Sequence, residues 1–262
     1  MKLTFLGTGT STGVPQLRCH CPTCTSTDQH DKRLRTSAMI ETEPGAPKLL
    51  IDCGPDFRQQ MLREDSPDLA AVLLTHTHYD HVGGIDDLRP YCRTAPDHHF
   101  PVYCRHDVAE DMRSRVPYCF AKKLYPGVPT FAIHEIDAPE KFTVDIPGYK
   151  PAEIQPLRIM HASLPILGFR IRGLVYITDC SSIPAETLDV IHGADVLVIN
   201  ALRIEPHPSH INLLQALDVI KETRPKQAYL THIAHTMGRQ ADAERLLPPD
   251  VHFAFDGLQV EL

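Results

Sequence analysis

Thr75-His76-Thr77-His78-Tyr79-Asp80-His81 reads His-x-His-x-Asp-His and follows directly on an apolar run. It carries four metal-capable side chains within six residues. Imidazole nitrogen and carboxylate oxygen together suit zinc, manganese or iron. Side chains leaving a strand end converge on one point only if the chain turns tightly, and Gly83-Gly84 would allow such a turn. A merely polar loop does not explain why a buried-type strand should end in so many ligands. Three further positions offer matching groups: His161 after an extended segment, Asp179 after Val175–Thr178, and His232 after Ala228–Thr231. Each alone is an ordinary strand-end polar residue. Together with the cluster they supply enough donors for two divalent ions sharing one carboxylate.

Cys19-His20-Cys21-Pro22-Thr23-Cys24 places three thiols at Cys-x-Cys-x-x-Cys spacing. One distant histidine would complete a closed tetrahedral site of the structural zinc type; a redox pair or free buried thiols are the alternatives. His235 is close enough to His232 in sequence to serve. Cys53, Cys92, Cys104, Cys119 and Cys180 lack such spacing and read as small apolar residues, although Cys180 adjoins Asp179. His210, in Pro206-His207-Pro208-Ser209-His210, is expected in a first helical turn, where backbone N–H dipoles favour an anion. A solvent-facing loop is the alternative, and His207 is its local rival. Gly7-Thr8-Gly9-Thr10-Ser11-Thr12-Gly13 lacks the third glycine of a dinucleotide fingerprint and the Lys-Ser/Thr of a phosphate loop. It reads as a loop passing near the metals.

The elements that must position these groups are short. Runs at Leu3–Leu6, Lys48–Ile51, Ala70–Leu74, Val175–Thr178, Val196–Ile199 and Ala228–Thr231 are bounded by polar or turn-forming residues and read as buried strands. Extended stretches are expected at Thr130–Ile136, Phe142–Ile146 and Gly168–Ile171. Helical periodicity covers Ile211–Thr223, with Leu213, Leu214, Leu217 and Ile220 on one face and Ser209 as the expected N-cap. Pro184–His192 opens with proline at N1, and Phe57–Arg63 and Val108–Arg115 are weaker helices. Leu73-Leu74-Thr75-His76 and Tyr229-Leu230-Thr231-His232 echo one another. Strands alternating with helices predict a layered α/β fold, and no linker or charge run divides the chain, so residues 1–262 are expected to form one domain.

Composition removes several classes. Of 262 residues, 42% are apolar and 23% charged, which fits neither disorder nor a fibre. Eight cysteines are too few for a disulfide scaffold. A net charge of −7 supplies no overall basic field for nucleic acid or an anionic membrane, whereas 16 histidines invite a search for metal. No secretory signal or membrane span is visible, so a cytoplasmic location is expected.

On these motifs the chain resembles the metallo-β-lactamase superfamily from Leu3-Thr4-Phe5-Leu6-Gly7-Thr8-Gly9 to Phe255-Asp256-Gly257. The resemblance implies a four-layer αββα sandwich, two mixed sheets flanked by helices, with a dinuclear site at one sheet edge. It assigns His76, His78 and His161 to one metal, Asp80, His81 and His232 to the other, and Asp179 as the bridge. Cys19, Cys21, Cys24 and His235 match the extra zinc site of PhnP-like phosphodiesterases. In that group the histidine matching His210 is proposed to protonate the leaving group. The implied activity is opening of a small cyclic phosphodiester, of the phosphoribosyl cyclic phosphate kind, by a metal-bridging hydroxide. Asp80 and Asp179, as anionic ligands, could accept a hydrogen bond from that nucleophile.

Two other readings remain on the same residues. One is a tRNA 3′-processing nuclease or a thioester or lactam hydrolase. The nuclease form lacks its basic extension, although Arg89, Arg93 and Arg105 could form a local anion patch. The other is a non-catalytic metal-binding protein resembling PqqB. The expected partner is a small phosphodiester, not nucleic acid or membrane, and a homodimer is usual for the resembling family.

Overall fold

Successive residues of single strands point into different cores, and this settles the layering. The computed structural model describes residues 1–262. Leu49 and Ile51 face one core while Leu50 faces another; Val196 and Val198 face the first while Leu197 and Ile199 face a third. That period-2 alternation, apolar on both sides, is what strands covered on both faces require.

The chain forms two seven-stranded mixed sheets. The first contains β1 (Lys2–Gly7), β2 (Ser37–Glu41), β3 (Lys48–Ile51), β4 (Leu69–Leu73), β5 (Phe100–Cys104) and β6 (Phe131–Glu135) in spatial sequence. The second runs from β7 (Phe142–Val144) through β8 (Ala152–His161), β9 (Leu164–Ile171), β10 (Leu174–Tyr176), β11 (Val196–Asn200) and β12 (Gln227–Thr231) to β13 (Val251–Phe253). The C-terminal β14 (Gln259–Glu261) returns antiparallel to β1. β3 to β6 are mutually parallel, as are β10 to β13.

The central core joins the inner faces through residues such as Leu49, Ile154, Phe169 and Val198. Each wholly buried side chain of this size contributes about 1.5–3 kcal/mol of transfer free energy. Helices Phe57–Arg63 and His106–Arg115 cover the first sheet through Phe57, Met61, Val108 and Met112. Helices Ala185–Ile191 and Leu213–Thr223 cover the second through Ile191, Leu213 and Ala216. The four expected layers are present.

The helix before β12 starts later than Ser209 suggests. Its N-cap is Asn212, whose side chain accepts from the Gln215 N–H while Gln215 bonds back to the Asn212 N–H. This reciprocal capping box satisfies two otherwise unpaired donors, and the preceding segment is irregular chain that bends at Pro208, Ser209 and His210. His210 is therefore not in a helical turn, and the dipole argument for an anion there fails. Pro184 likewise sits at the N-cap, one residue before its expected place.

Candidate active site

The donors gather at the carboxyl ends of parallel strands, where open α/β sheets characteristically place ligands. β4 feeds His76 and the short helix Tyr79–Val82, β10 leads to Asp179, and β12 ends immediately before His232. β8 closes the arrangement with His161 as its last residue. Asp179 and His232 adopt the left-handed backbone region, with φ of 55° and 56°. Asp52, just beyond β3, does the same at 60°. Each such kink turns a side chain inward at a strand end and costs of order 1–3 kcal/mol, a strain the surrounding sheets must hold.

Two donor groups share one residue. Single donor atoms of Asp80, His81, Asp179 and His232 all lie within 4.8 Å of one another, as do those of His161, Asp179 and His210. Asp179 Oδ2 is 3.2 Å from His81 Nε2, and its Oδ1 is 3.2 Å from His232 Nε2. His76 and His78 stand outside both groups, but their rings pack against the cluster. The centroid separations are 4.7 Å between these two rings and 5.7 and 5.0 Å from each to His161.

The hydrogen bonds of the ring nitrogens fix which atom faces inward. His81 Nδ1 donates to Asp52 Oδ2 at 2.6 Å. His161 Nδ1 donates to the carbonyls of Asp179 and Ser209, both at 2.8 Å. Thr75 Oγ1 donates to Asp52 at 2.9 Å and so accepts from His76 Nδ1 at the same distance. Thr36 Oγ1 donates to the Gly9 carbonyl at 2.8 Å and so accepts from His232 Nδ1 at 3.2 Å. All four rings thus carry their proton on Nδ1 and turn Nε2 into the cluster. Two of those inward atoms, on His76 and His81, are buried without a hydrogen-bond partner. A lone pair held this way, backed by a carboxylate for His81 and by the Thr75 hydroxyl for His76, is how imidazole is prepared for a metal. The residues fit divalent cations.

Electrostatics agree. Burial carries His76 and His161 below the ordinary imidazole range and brings His232 down to about 4. Burial also opposes charge on His81, yet Asp179, Asp52 and Asp80 outweigh it and hold that ring well above its usual value. Asp80 and Asp179 stay below the carboxylate range despite burial, through the adjacent histidines. Three carboxylates crowd the His81 ring, a negative surplus that a cation would neutralise.

Several supports carry no obvious sequence motif. Asn200 clasps the Asp179 turn, accepting from the Cys180 N–H at 2.7 Å and donating to its carbonyl at 3.2 Å. Cys180 itself is fully buried and its thiol is pushed up to about 12, consistent with an inert packing role. Thr10 Oγ1 lies 3.2 Å from His232 Nε2, so the Gly7–Gly13 loop does reach the site. Asp52 had a usable signal: like Asp179, it is a carboxylate at the end of an apolar strand. Gly83 and Gly84 differ from expectation. Their φ values are −66° and −99°, so no left-handed turn is involved. Close approach is what demands glycine, since a Cβ on Gly84 would lie 2.1 Å from the Gly54 carbonyl oxygen.

The cysteine loop closes on the same region. Donor atoms of Cys19, Cys21, Cys24 and His235 lie within 4.8 Å of one another. His235 Nδ1 is 3.4 Å from Cys19 Sγ and 3.3 Å from Cys21 Sγ. That contact brings the Cys21 thiol down to about 6, whereas burial raises Cys24 to about 11. Two of the three arginines are neutralised locally, Arg89 by Asp86 and Arg105 by Asp107 and Asp137, while Arg93 has no carboxylate partner. No helix is long and apolar enough to cross a membrane.

Comparison with known proteins places this geometry. The chain is 42% identical over 260 residues to an octanoyltransferase of Porphyromonas gingivalis, covering 99% of this chain but 51% of that protein, about half its length. Its fold superposes on a diphosphatase from the PhnP family with a TM-score of 0.88 and 34% identity, covering 99% and 96% of the two chains. Zinc-bound PqqB from Methylobacterium extorquens follows the whole chain with a TM-score of 0.77 at 20% identity, each chain covered in full. A family description, the beta-lactamase superfamily domain, matches residues 48–233, within which lie His76 to His81, His161, Asp179 and His232. With these donors at the ends of its paired sheets, the chain belongs to the metallo-β-lactamase superfamily.

Proposed function

We propose that the protein is a dinuclear metal-dependent phosphodiesterase acting on a small, cyclic type of phosphodiester. One observation carries the reading: two donor groups share the Asp179 carboxylate, and the surrounding imidazoles turn unprotonated Nε2 atoms toward it. His76, His78 and His161 would hold one cation, Asp80, His81 and His232 the other, and Asp179 both. Cys19, Cys21, Cys24 and His235 would hold a separate structural zinc. Two divalent cations held there would supply Lewis acidity, lowering the pKa of the attacking water from 15.7 to about 7 and neutralising phosphoryl oxygens.

The chain's own groups do the rest. Asp80 and Asp179 would hold the positive charges together, and Asp80 would accept a hydrogen bond from the attacking water. His210 Nε2 lies 3.1 Å from Asp179 Oδ1, close enough to the cluster to give a proton to a departing alkoxide. Such a group contributes about 10²–10⁴-fold. The PhnP-family relative, similar over nearly the whole chain, supports phosphorus as the electrophile. The net charge of −7 and the pairing of Arg89 and Arg105 with carboxylates favour a small substrate over nucleic acid.

The 42% identical octanoyltransferase favours a second reading, acyl or thioester hydrolysis on the same site. Metal quantification beside turnover of cyclic and linear phosphodiesters, diphosphates and an octanoyl thioester separates the two. Three bound metals and phosphodiester turnover that Asp80→Ala abolishes are expected. Thioester turnover alone would replace the reading. Occupancy of the cysteine site only would point to a non-catalytic protein.

A further inference from the structure

Next to the proposed proton donor lies a short chain of polar side chains that the reading above does not use. His210 Nδ1 is 3.2 Å from His207 Nδ1 and 3.0 Å from Ser209 Oγ, and that hydroxyl is 3.2 Å from His207 Nδ1. The Ser209 backbone N–H donates to His207 Nδ1 at 3.3 Å. An amide N–H can only donate, so His207 Nδ1 bears the lone pair and its proton sits on Nε2. Burial and the neighbouring His210 hold His207 below the ordinary imidazole range, in the neutral form that can accept.

Two lone pairs facing each other across this distance would repel. A hydrogen on His210 Nδ1, given to His207 or to Ser209 Oγ, relieves that repulsion. The proton that can leave the His210 ring is then the one on Nε2, the atom turned toward Asp179. The loop is held at both ends of this chain. Ser209's carbonyl accepts from His161 Nδ1 at 2.8 Å, and prolines 206 and 208 restrict the backbone on either side of His207.

We propose that His207 is a positioning residue that locks the tautomer and orientation of His210, so that Nε2 delivers the proton to the leaving oxygen. This rests on the reading of His210 as general acid. The same logic, a fixed acceptor behind an imidazole, governs catalytic triads.

The test uses the metal-loaded full chain and two substrates. A nucleoside 2′,3′-cyclic phosphate expels an alkoxide that needs a proton. Bis(4-nitrophenyl) phosphate expels a stable phenolate that does not. His207→Ala should lower kcat on the cyclic substrate by about 10–100-fold, the scale seen for groups that orient a functional histidine. The loss on the nitrophenyl ester should be at least roughly tenfold smaller, with KM little moved and metal content unchanged. His207→Asn keeps an acceptor near the Nδ1 position and should recover most of the lost rate. Equal losses on both substrates, no loss on either, or no recovery with asparagine would overturn the inference. His210→Ala separates this from failure of the underlying reading. If that variant shows no dependence on leaving group, the general-acid assignment itself falls.

Discussion

His232 and His235 are three residues apart, yet they belong to two regions built on opposite plans. The cluster around Asp179 draws its donors from four separate stretches of chain, at residues 76–81, 161, 179 and 232. Its members are mostly buried, and four of its rings have Nδ1 tied to a fixed acceptor. The cysteine clip takes three donors from one six-residue loop, leaves Cys19, Cys21 and His235 partly exposed, and turns the His235 Nδ1 itself toward sulfur. In the first region the sandwich makes the geometry and a metal fits it. In the second, a surface loop brings the sulfurs together through backbone hydrogen bonds and His235, so metal binding and the order of that loop are coupled.

Disturbing the scaffold should therefore damage the first region most. A Cβ on Gly54 would lie 2.0 Å from the Asp80 carbonyl oxygen. Gly54→Ala must push the Tyr79–Val82 helix away from the cluster, and a displacement of about 1 Å costs roughly 10²-fold in rate. Steady-state kinetics with metal quantification would show it; near-normal turnover would mean the cluster tolerates movement as the clip does. Asp52 touches no substrate, yet it accepts from His81 Nδ1 and from Thr75, which in turn accepts from His76. Asp52→Ala should cost about 10–100-fold in metal affinity or activity. A titration with zinc or manganese reads this directly.

The same contrast explains what the sequence disclosed. Donors were legible because their types are costly at the end of a buried strand unless something binds them; His161, Asp179 and His232, ordinary strand-end residues when taken one at a time, gained meaning only beside the His76–His81 cluster. Cys19, Cys21 and Cys24 were legible through spacing alone. The residues that orient the donors were mostly hidden. Thr36 meets His232 across 196 positions and Asn200 meets Cys180 across 20, and neither pairing leaves a local pattern. Left-handed φ at Asp52, Asp179 and His232 is likewise a consequence of sheet packing. The helix start was misread although Asn212 and Gln215 carry a capping signature, because Ser209 is an equally good cap by type and only packing decides between them.

The clip should respond to pH rather than to packing. His235 brings the Cys21 thiol down to about 6, so metal-free protein should hold it as thiolate at neutrality. The thiolate is the reactive form, so alkylation of Cys21 should rise as pH increases through about 6, well below the ordinary thiol value near 8.5. Cys24, raised to about 11, and the buried Cys53, Cys92, Cys104, Cys119 and Cys180 should label slowly throughout. Added zinc should protect Cys21. Peptide mapping after brief iodoacetamide treatment at several pH values would measure this. Labelling of Cys21 that begins only near pH 8 would show that the loop does not keep His235 against sulfur without metal.

The smallest expected effect asks how far the scaffold's control extends. Asn212 caps the helix Leu213–Thr223 and also donates from Nδ2 to the Ile204 carbonyl at 3.1 Å, bridging the ends of the segment that carries His207 and His210. Losing a cap of this kind costs about 0.5–2 kcal/mol. Asn212→Ala should lower the denaturation midpoint by that amount without changing the slope, because the core is untouched. If the bridge to Ile204 also sets the loop, kcat on a substrate with an alkoxide leaving group should fall several-fold while metal content stays constant. A stability loss with unaltered kcat would instead show that the contacts from His161 and Ser209 suffice to place His210, and that helix capping and catalysis are separate here.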